Sequence, residues 1–313
     1  MSKYAERINR EYGTRRKPKE KEAFRLYLMG ALREMGYSPA LQSRESPLRV
    51  GGQTTNVVAG DPEKAKLILI AHYDTGVRPI FPPLYMPTRP LTALLYQALT
   101  PVCAMLGALV LSFALTFPLN APAATLPLFL IFLFGSLLYL RFGPSEANNI
   151  ADNASGVAAL LETAAALTPG CRGDVAFAFL DGGFGGMSGA KGFRQKYPCA
   201  KEKTVVNVCC VARGDELMVL PGKYARWQGD VLDAILDSFD GEENKTVFLK
   251  TDGVTYFPSD NRAFRCAISI FACESLYGFG RIIRPKKAKS IDETNLKILK
   301  EGLCKLCENM KNI

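Results

Sequence analysis

Leu67-Ile68-Leu69-Ile70-Ala71-His72-Tyr73-Asp74-Thr75 is the stretch that decides the fold of this 313-residue chain. Its first four residues form a short apolar run rich in β-branched side chains, which predicts a buried strand. His72 and Asp74 follow at the point where this strand leaves the sheet, and functional sites in α/β proteins usually lie at that edge. His72 is also the only histidine in the chain, so any histidine chemistry must use it.

The rest of the chain alternates between strand-like and helix-like patterns. Buried runs are predicted at 56–59, 67–72, 175–180, 205–211, 216–220 and 266–272, and helices at 22–35, 150–167, 224–239 and 293–310. This alternation predicts a three-layer α/β domain with a mainly parallel central sheet. We expect 56–59 to form a hairpin with 67–72, and 216–220 to pair beside 205–211.

One long stretch does not follow this pattern. Residues 90–140 contain no Asp, Glu, Lys, Arg or His. A membrane-spanning helix needs ~20 apolar residues, and the segments Leu99–Phe117 and Ala123–Leu140 are each about that long. The alternative is a buried hairpin in a soluble core, but a soluble helix normally keeps a polar face and neither segment has one. We therefore predict a two-helix transmembrane hairpin at 90–140 that contacts membrane lipid.

The hairpin is expected to interrupt a single α/β domain made of 21–89 and 141–313, preceded by a basic segment, 1–20, that is mobile or forms a surface helix. The net charge of +9 includes 30 acidic residues, so the basic excess is diffuse and no nucleic-acid partner is expected. Nine scattered cysteines and a charged beginning without a secretory signal favour a reducing compartment. Basic residues flank the hairpin, which places both termini and the soluble domain on the cytosolic side of a cell membrane.

Three motifs together resemble a known family. They are Thr55–Ala59, Ala71–Thr75 and Ala151–Glu162, and they are similar to motifs of the di-zinc aminopeptidases of metallopeptidase family 28, which also holds the glutaminyl cyclases. The resemblance covers nearly the whole chain outside the hairpin. It implies that His72 binds zinc, that Asp152 bridges two zinc ions and that Asp74 orients His72. Taken singly, His72 could equally be a packed core residue and Asp152 a helix cap.

The catalytic motif of that family differs here. The family has Asp-Gly-Glu-Glu, in which the first Glu is the general base and the second binds the second zinc ion. This chain has Asp181-Gly182-Gly183-Phe184 at the corresponding place. Glycine cannot accept a proton and phenylalanine cannot bind a metal. Asp181 lies close in sequence and is the candidate for a replacement base.

Two further ligand positions of the family also differ. Cys209 stands where the family has an Asp for the first zinc ion, and no histidine occurs in Pro285–Lys289, where the last ligand is expected. A two-zinc hydrolase is therefore not expected. His72, Asp152 and Cys209 could hold one zinc ion at most, with water as the fourth ligand. Cys209 could equally be a small buried apolar residue.

We therefore expect a membrane-anchored protein of the zinc-aminopeptidase type that is catalytically impaired and acts by binding a peptide ligand or a membrane protein. One alternative is an active single-zinc peptidase, hydrolase or cyclase that uses His72, Asp152 and Cys209. Another alternative is a membrane scaffold, in which the hairpin holds a partner and the α/β domain is only a folded body.

Overall fold

The protein is described from a computed structural model. The structure describes residues 2–45, 53–147, 149–239, 241, 245–277, 280–285 and 290–313, except for the side chain of residue 312. The helices in these ranges are α1 (Lys3–Glu11), α2 (Pro18–Glu34), α3 (Pro90–Thr116), α4 (Thr125–Phe142), α5 (Ser155–Ala166), α6 (Ser188–Lys196), α7 (Gly229–Leu236) and α8 (Glu293–Asn309). The strands are β1 (Ala40–Glu45), β2 (Gln53–Ala59), β3 (Leu67–His72), β4 (Val175–Leu180), β5 (Thr204–Val208), β6 (Glu216–Pro221), β7 (Thr246–Leu249), β8 (Ala267–Leu276) and β9 (Gly280–Ile282).

The strands form a mixed sheet in the order β1-β2-β4-β3-β5-β8-β6-β7, and β9 pairs with β8. The four central strands, β4, β3, β5 and β8, are parallel to their neighbours in that group. Every residue of β3, β4 and β5 is buried, because helices cover both faces of the sheet. The predicted α/β class with a parallel centre is confirmed, while antiparallel pairs occur on both flanks.

Two predicted strand pairings are wrong. β2 and β3 do not form a hairpin, because β4 lies between them and pairs with both. β6 lies beside β8 rather than beside β5. The local apolar pattern identifies each strand, but the order of the strands depends on how the helices between them pack across the sheet. Strands that are consecutive in the sequence were therefore wrongly predicted to be neighbours in the sheet.

The N-terminal segment belongs to the folded body. Helix α1 buries Tyr4, Ala5 and Ile8, and it contacts α5 and the turn before α5. Arg15 follows α1 and is only 1% exposed. The prediction of a helix in 1–20 is correct, but one side of that helix is part of the core instead of being fully solvated.

Helices α3 and α4 have the length and composition expected of membrane-spanning helices. Only 11% and 0% of the residues in their most apolar stretches are buried inside the protein. The alternative of a hairpin hidden in the soluble core is therefore wrong. The first helix begins at Pro90, nine residues before the predicted start at Leu99, because its first turns dock on the body through Ala93, which packs with Met86 and Ile282.

The two ends of the hairpin meet beside the end of β3. The Arg78 backbone N–H donates to the Pro144 carbonyl (2.9 Å), and the Glu146 N–H donates to the Gly76 carbonyl (3.1 Å). The Arg16 guanidinium donates to the Arg141 carbonyl at the end of α4. The base of the hairpin therefore lies at the carboxyl edge of the sheet, only a few residues along the chain from His72.

Candidate functional site

A cavity of about 90 Å³ lies at the carboxyl edge of the central strands. His72 comes from the end of β3, Asp152 from the turn before α5, and Cys209 and Cys210 from the end of β5. Gly183 and Phe184, in the turn after β4, form another wall. The remaining lining residues are Tyr85, Met187, Phe257, Pro258, Ser259 and Asp260. The cavity thus contains the predicted metal ligands His72, Asp152 and Cys209.

Asp152 is placed by a π-helical turn, Ile150–Ala154, that is held against the end of β5. The Cys210 N–H donates to the Asp152 carbonyl (2.8 Å). A Cβ atom on Gly156 would lie 2.2 Å from the Val208 carbonyl oxygen, so only glycine permits this close approach. A π-turn of this kind widens the helix locally and often occurs at functional sites. Here it brings the Asp152 carboxylate to the cavity.

His72 lies between two carboxylates. Its Nε2 atom is 3.9 Å from Asp152 Oδ1, and its Nδ1 atom is 3.7 Å from Asp260 Oδ2. Neither His72 Nδ1 nor Asp260 Oδ1 has a hydrogen-bond partner, although both atoms are buried. Burial raises the pKa of Asp260 to about 6, and the nearby imidazole opposes part of this rise. Two residues that line the cavity, His72 and Asp260, therefore each carry a buried polar atom without a hydrogen-bond partner.

Asp260 was missed as a site residue from the sequence. A single aspartate in a loop, 188 positions after His72, gives no local signal of a shared site. The structure directs Asp260 at His72, and both residues line the cavity.

Asp74 does not orient His72 as the resemblance implied. Its carboxylate accepts hydrogen bonds from the backbone N–H groups of Gly183 (2.8 Å) and Phe184 (3.3 Å). Burial raises the pKa of Asp74, while the Lys21 ammonium and His72 oppose the rise. Its observed contacts fix the turn after β4, and Asp260 is the carboxylate that faces His72 Nδ1. The two-residue spacing of His72 and Asp74 indicated the end of the strand correctly, but it did not predict the direction of the Asp74 side chain.

The turn held by Asp74 lacks the space for the family's general base. A Cβ atom on Gly183 would lie 2.9 Å from His72 Cδ2, 3.0 Å from Cγ and 3.1 Å from Cβ. Phe184 packs its ring edge against the imidazole, with ring centroids 5.7 Å apart and an interplanar angle of 74°. The His72 ring thus occupies the space that a longer side chain at position 183 would need.

The contacts of Asp181 do not support the expected role as a replacement base. Its side chain is fully buried and forms an ion pair with Lys21. It also accepts hydrogen bonds from the backbone N–H groups of Thr55 (3.1 Å) and Gly182 (2.7 Å). Asp181 is absent from the residues lining the cavity. The Asp181 carboxylate therefore holds β2 and the turn after β4 in place, outside the cavity.

Cys209 lines the cavity, but its thiol is engaged elsewhere. The Sγ atom lies 3.6 Å from Asn207 Nδ2 and 3.8 Å from Ser259 Oγ. The neighbouring thiol of Cys210 faces Asp152 Oδ1 at 3.7 Å. Among the residues that the structure describes, no three His, Cys, Asp or Glu side chains form a group that could hold a metal ion. The expected set of His72, Asp152 and Cys209 therefore does not fit a zinc ion in this arrangement.

A buried cation lies behind the cavity. The guanidinium of Arg15 donates to the Tyr73 carbonyl (2.6 Å), to Asn153 Oδ1 and to the Tyr12 carbonyl. Burial lowers the pKa of Arg15 to about 10, and Asp74 and Asp152 oppose this change. The group remains charged at neutral pH and partly offsets those carboxylates. It could not be found from the sequence, because the basic segment that contains it was expected to be solvated.

Residues 140–273 match the model of peptidase family M28. The structure is similar to Porphyromonas gingivalis glutaminyl cyclase, with a TM-score of 0.62, 16% identity and coverage of 100% of this chain and 98% of that one. It is similar to a leucine aminopeptidase precursor from Bacteroides thetaiotaomicron VPI-5482 (TM-score 0.56, 16% identity, 97% and 93% coverage). It is also similar to a Zn-dependent exopeptidase from Parabacteroides distasonis ATCC 8503 (TM-score 0.57, 14% identity, 97% and 95% coverage).

Among curated protein sequences, none matches this chain. The family match covers the part of the chain that contains Asp152, the Gly183–Phe184 turn, Cys209 and Asp260. The structural matches extend the likeness to the segment that contains His72. Residues 140–273 therefore resemble peptidase family M28, and the fold is shared with the glutaminyl cyclase, aminopeptidase and exopeptidase structures compared above.

Proposed function

We propose that this protein is a membrane-anchored relative of the M28 peptidases that binds a free amino group, such as the amino terminus of a peptide, and does not hydrolyse peptides with a pair of zinc ions. The observation that carries the proposal is the position of the His72 ring against Gly183. The ring fills the place of the family's general base, and Phe184 replaces the next ligand. The cavity nevertheless keeps two carboxylates and an imidazole.

The charges of the cavity favour a cationic ligand. Asp152 and Asp260 are 5% and 1% exposed, and Asp260 Oδ1 lacks a hydrogen-bond partner. A buried acceptor without a partner costs ~1–3 kcal/mol, and a bound donor removes that cost. An ammonium group has three N–H donors and no acceptor, so it suits these oxygens. The rings of Tyr85, Phe184 and Phe257 line the same cavity, and the face of an aromatic ring attracts a cation.

The size of the cavity limits what can enter it. Its volume of about 90 Å³ is well below the ~300–1,000 Å³ of sites that enclose a whole small molecule. Only the terminal group of a ligand would fit, and the rest of the molecule would lie outside. This agrees with recognition of an amino end rather than of a whole peptide.

Anchoring to a membrane is the second part of the proposal. Helices α3 and α4 are long, apolar and mostly exposed, and exposed apolar helices of this length are costly in water. The positive-inside rule places the basic hairpin flanks, and with them both termini and the α/β domain, in the cytosol. The cavity at the hairpin base would then face the cytosolic surface of the membrane.

Binding of a short peptide to the purified full-length chain tests the proposal. We expect a peptide with a free amino terminus to bind, and its N-acetylated form to bind at least about tenfold more weakly, since acetylation removes the charge. Asp260→Asn should weaken binding of the free-amine peptide by a similar factor. Asp230→Asn, at an exposed position on α7, is the matched control and should not change binding. Equal binding of the two peptides would overturn the amine assignment.

Metal content separates this function from the alternatives. If the protein holds stoichiometric zinc that Cys209→Ala removes, together with peptide hydrolysis, the single-zinc enzyme is correct and our proposal is wrong. If a co-purified membrane protein is released by changes in the hairpin but not by Asp260→Asn, the scaffold function is favoured. We expect neither stoichiometric zinc nor turnover.

A further inference from the structure

A second cavity lies next to the first, and we call it the interfacial cavity. Its volume is about 350 Å³. It is formed by the proline-rich connector 79–85, by Tyr96, Gln97 and Thr100 in the first turns of α3, and by Pro258. The Tyr96 hydroxyl donates to the Pro82 carbonyl (2.7 Å), which ties the helix to the connector. The lining is mainly apolar, and the described residues in it include neither Lys nor Arg.

The helix geometry indicates the depth of the interfacial cavity relative to a membrane. The hydroxyls of Thr116 and Thr125 are 2.9 Å apart near the tip of the hairpin. Thr100 on α3 and Arg141 on α4 each lie sixteen residues from this contact, which is about 24 Å along a helix. Thr100 is therefore level with Arg141. Because arginine marks the cytosolic boundary of a spanning helix, the cavity would lie at the membrane–water interface.

The two cavities share a wall. Tyr85 and Pro258 line both of them. Tyr85 is held in place by two backbone hydrogen bonds with Ile283 (3.1 and 2.9 Å), and its ring packs edge-on against Phe257 with centroids 5.8 Å apart. A ligand that passes this wall would place one end beside Asp152 and Asp260 and the other end among the connector prolines.

We propose that the interfacial cavity binds the hydrocarbon chain of a membrane amphiphile whose amino group occupies the cavity at His72. This inference rests on the proposed function, because it requires that the inner cavity binds an amine. Among the residues that the structure describes, neither lining contains Lys or Arg, and the carboxylates would repel a phosphate placed between the amine and the chain. The ligand class is therefore an amine attached directly to an apolar chain.

Alkylamines of two lengths test this inference on the full-length protein in lipid nanodiscs. We expect octylamine to bind at least about tenfold more tightly than ethylamine, because each fully buried methylene adds roughly fourfold and only part of the chain is enclosed. Octanoate should not compete with octylamine. Thr100→Trp should fill the interfacial cavity and remove most of the gain from the longer chain, while ethylamine binding stays the same.

Leu95→Trp is the matched control, because Leu95 lies on the same helix, is 66% exposed and does not line the cavity. This variant should keep the full gain in affinity for octylamine over ethylamine. Octylamine partitions into the lipid equally with either variant, so this effect cancels when the two variants are compared. If Thr100→Trp keeps the gain, or if octylamine and ethylamine bind equally, this inference is wrong and the proposed function stands. If ethylamine and free-amine peptides both fail to bind, the proposed function fails and this inference fails with it.

Discussion

The strongest prediction concerns Gly183, the residue in the position of the family's general base. Gly183→Ala adds a single methyl group. That Cβ atom would lie 2.9 to 3.1 Å from three atoms of His72, one of which is the Cβ atom of His72. The imidazole cannot rotate away easily, because the contacted atoms are the Cβ atom of His72 and two atoms of its ring. Its edge contact with Phe184 and the two flanking carboxylates also restrict it.

The expected cost is that of overpacking a buried site, which is typically ~1–3 kcal/mol. For a domain of this size, each kcal/mol lowers the melting temperature by roughly 2–4 °C. Gly183→Ala should therefore lower it by roughly 2–12 °C. It should also weaken binding of a free-amine peptide, since His72 moves relative to Asp260. Gly183→Glu should destabilise the protein at least as much and should not produce hydrolysis.

Thermal unfolding of the full-length chain, read by a probe of the α/β domain, measures the effect. Gly185→Ala is the matched control in the same turn. Its Cβ atom would meet nothing closer than the Gly182 carbonyl oxygen at 3.4 Å. That change should be neutral or slightly stabilising, because alanine restricts the unfolded chain. If both alanine variants melt alike, or if Gly183→Glu gains zinc-dependent turnover, the steric explanation for the missing base is refuted.

Three further predictions test other parts of the structure. The folded-state pKa of Asp260 is about 6 and its ordinary value is 3.8, so its contribution to the free energy of unfolding should fall as pH rises between these values. Asp260→Asn should remove that contribution in denaturant titrations. Replacement of both Leu109 and Leu130 by Asp should release the protein from membranes in flotation assays, since each charge costs ~2.5–3.5 kcal/mol at a helix centre; continued retention would contradict the hairpin. Lys21→Met should destabilise by ~3–5 kcal/mol because it leaves Asp181 buried and unpaired. The double change Lys21→Met with Asp181→Asn should recover much of that lost stability, and amine binding should be unchanged in both variants. If the stable double variant loses amine binding, Asp181 is part of the binding site.

The sequence was informative wherever the signal was local. A run of apolar residues identified β3, β4, β5 and β8 within a few residues, and the absence of charge between Arg89 and Arg141 identified two helices. Composition predicts that the ligands of a two-zinc site are incomplete, because the chain has one histidine and carries Gly183 and Phe184 in the catalytic motif. The prediction that a metal could be held by His72, Asp152 and Cys209 needed distances that no sequence contains.

Only the tertiary structure could show which side chains meet. Asp260 faces His72 although 188 positions separate them in the chain. Asp181, adjacent to the predicted site in sequence, turns to Lys21 instead. Arg15 is buried because α1 packs on α5, and nothing in a basic segment indicates this. Local patterns determine which segments become strands and helices, because they depend on neighbouring residues. The order of the strands, the direction of each carboxylate and the wall shared by the two cavities depend on packing between segments far apart in the chain.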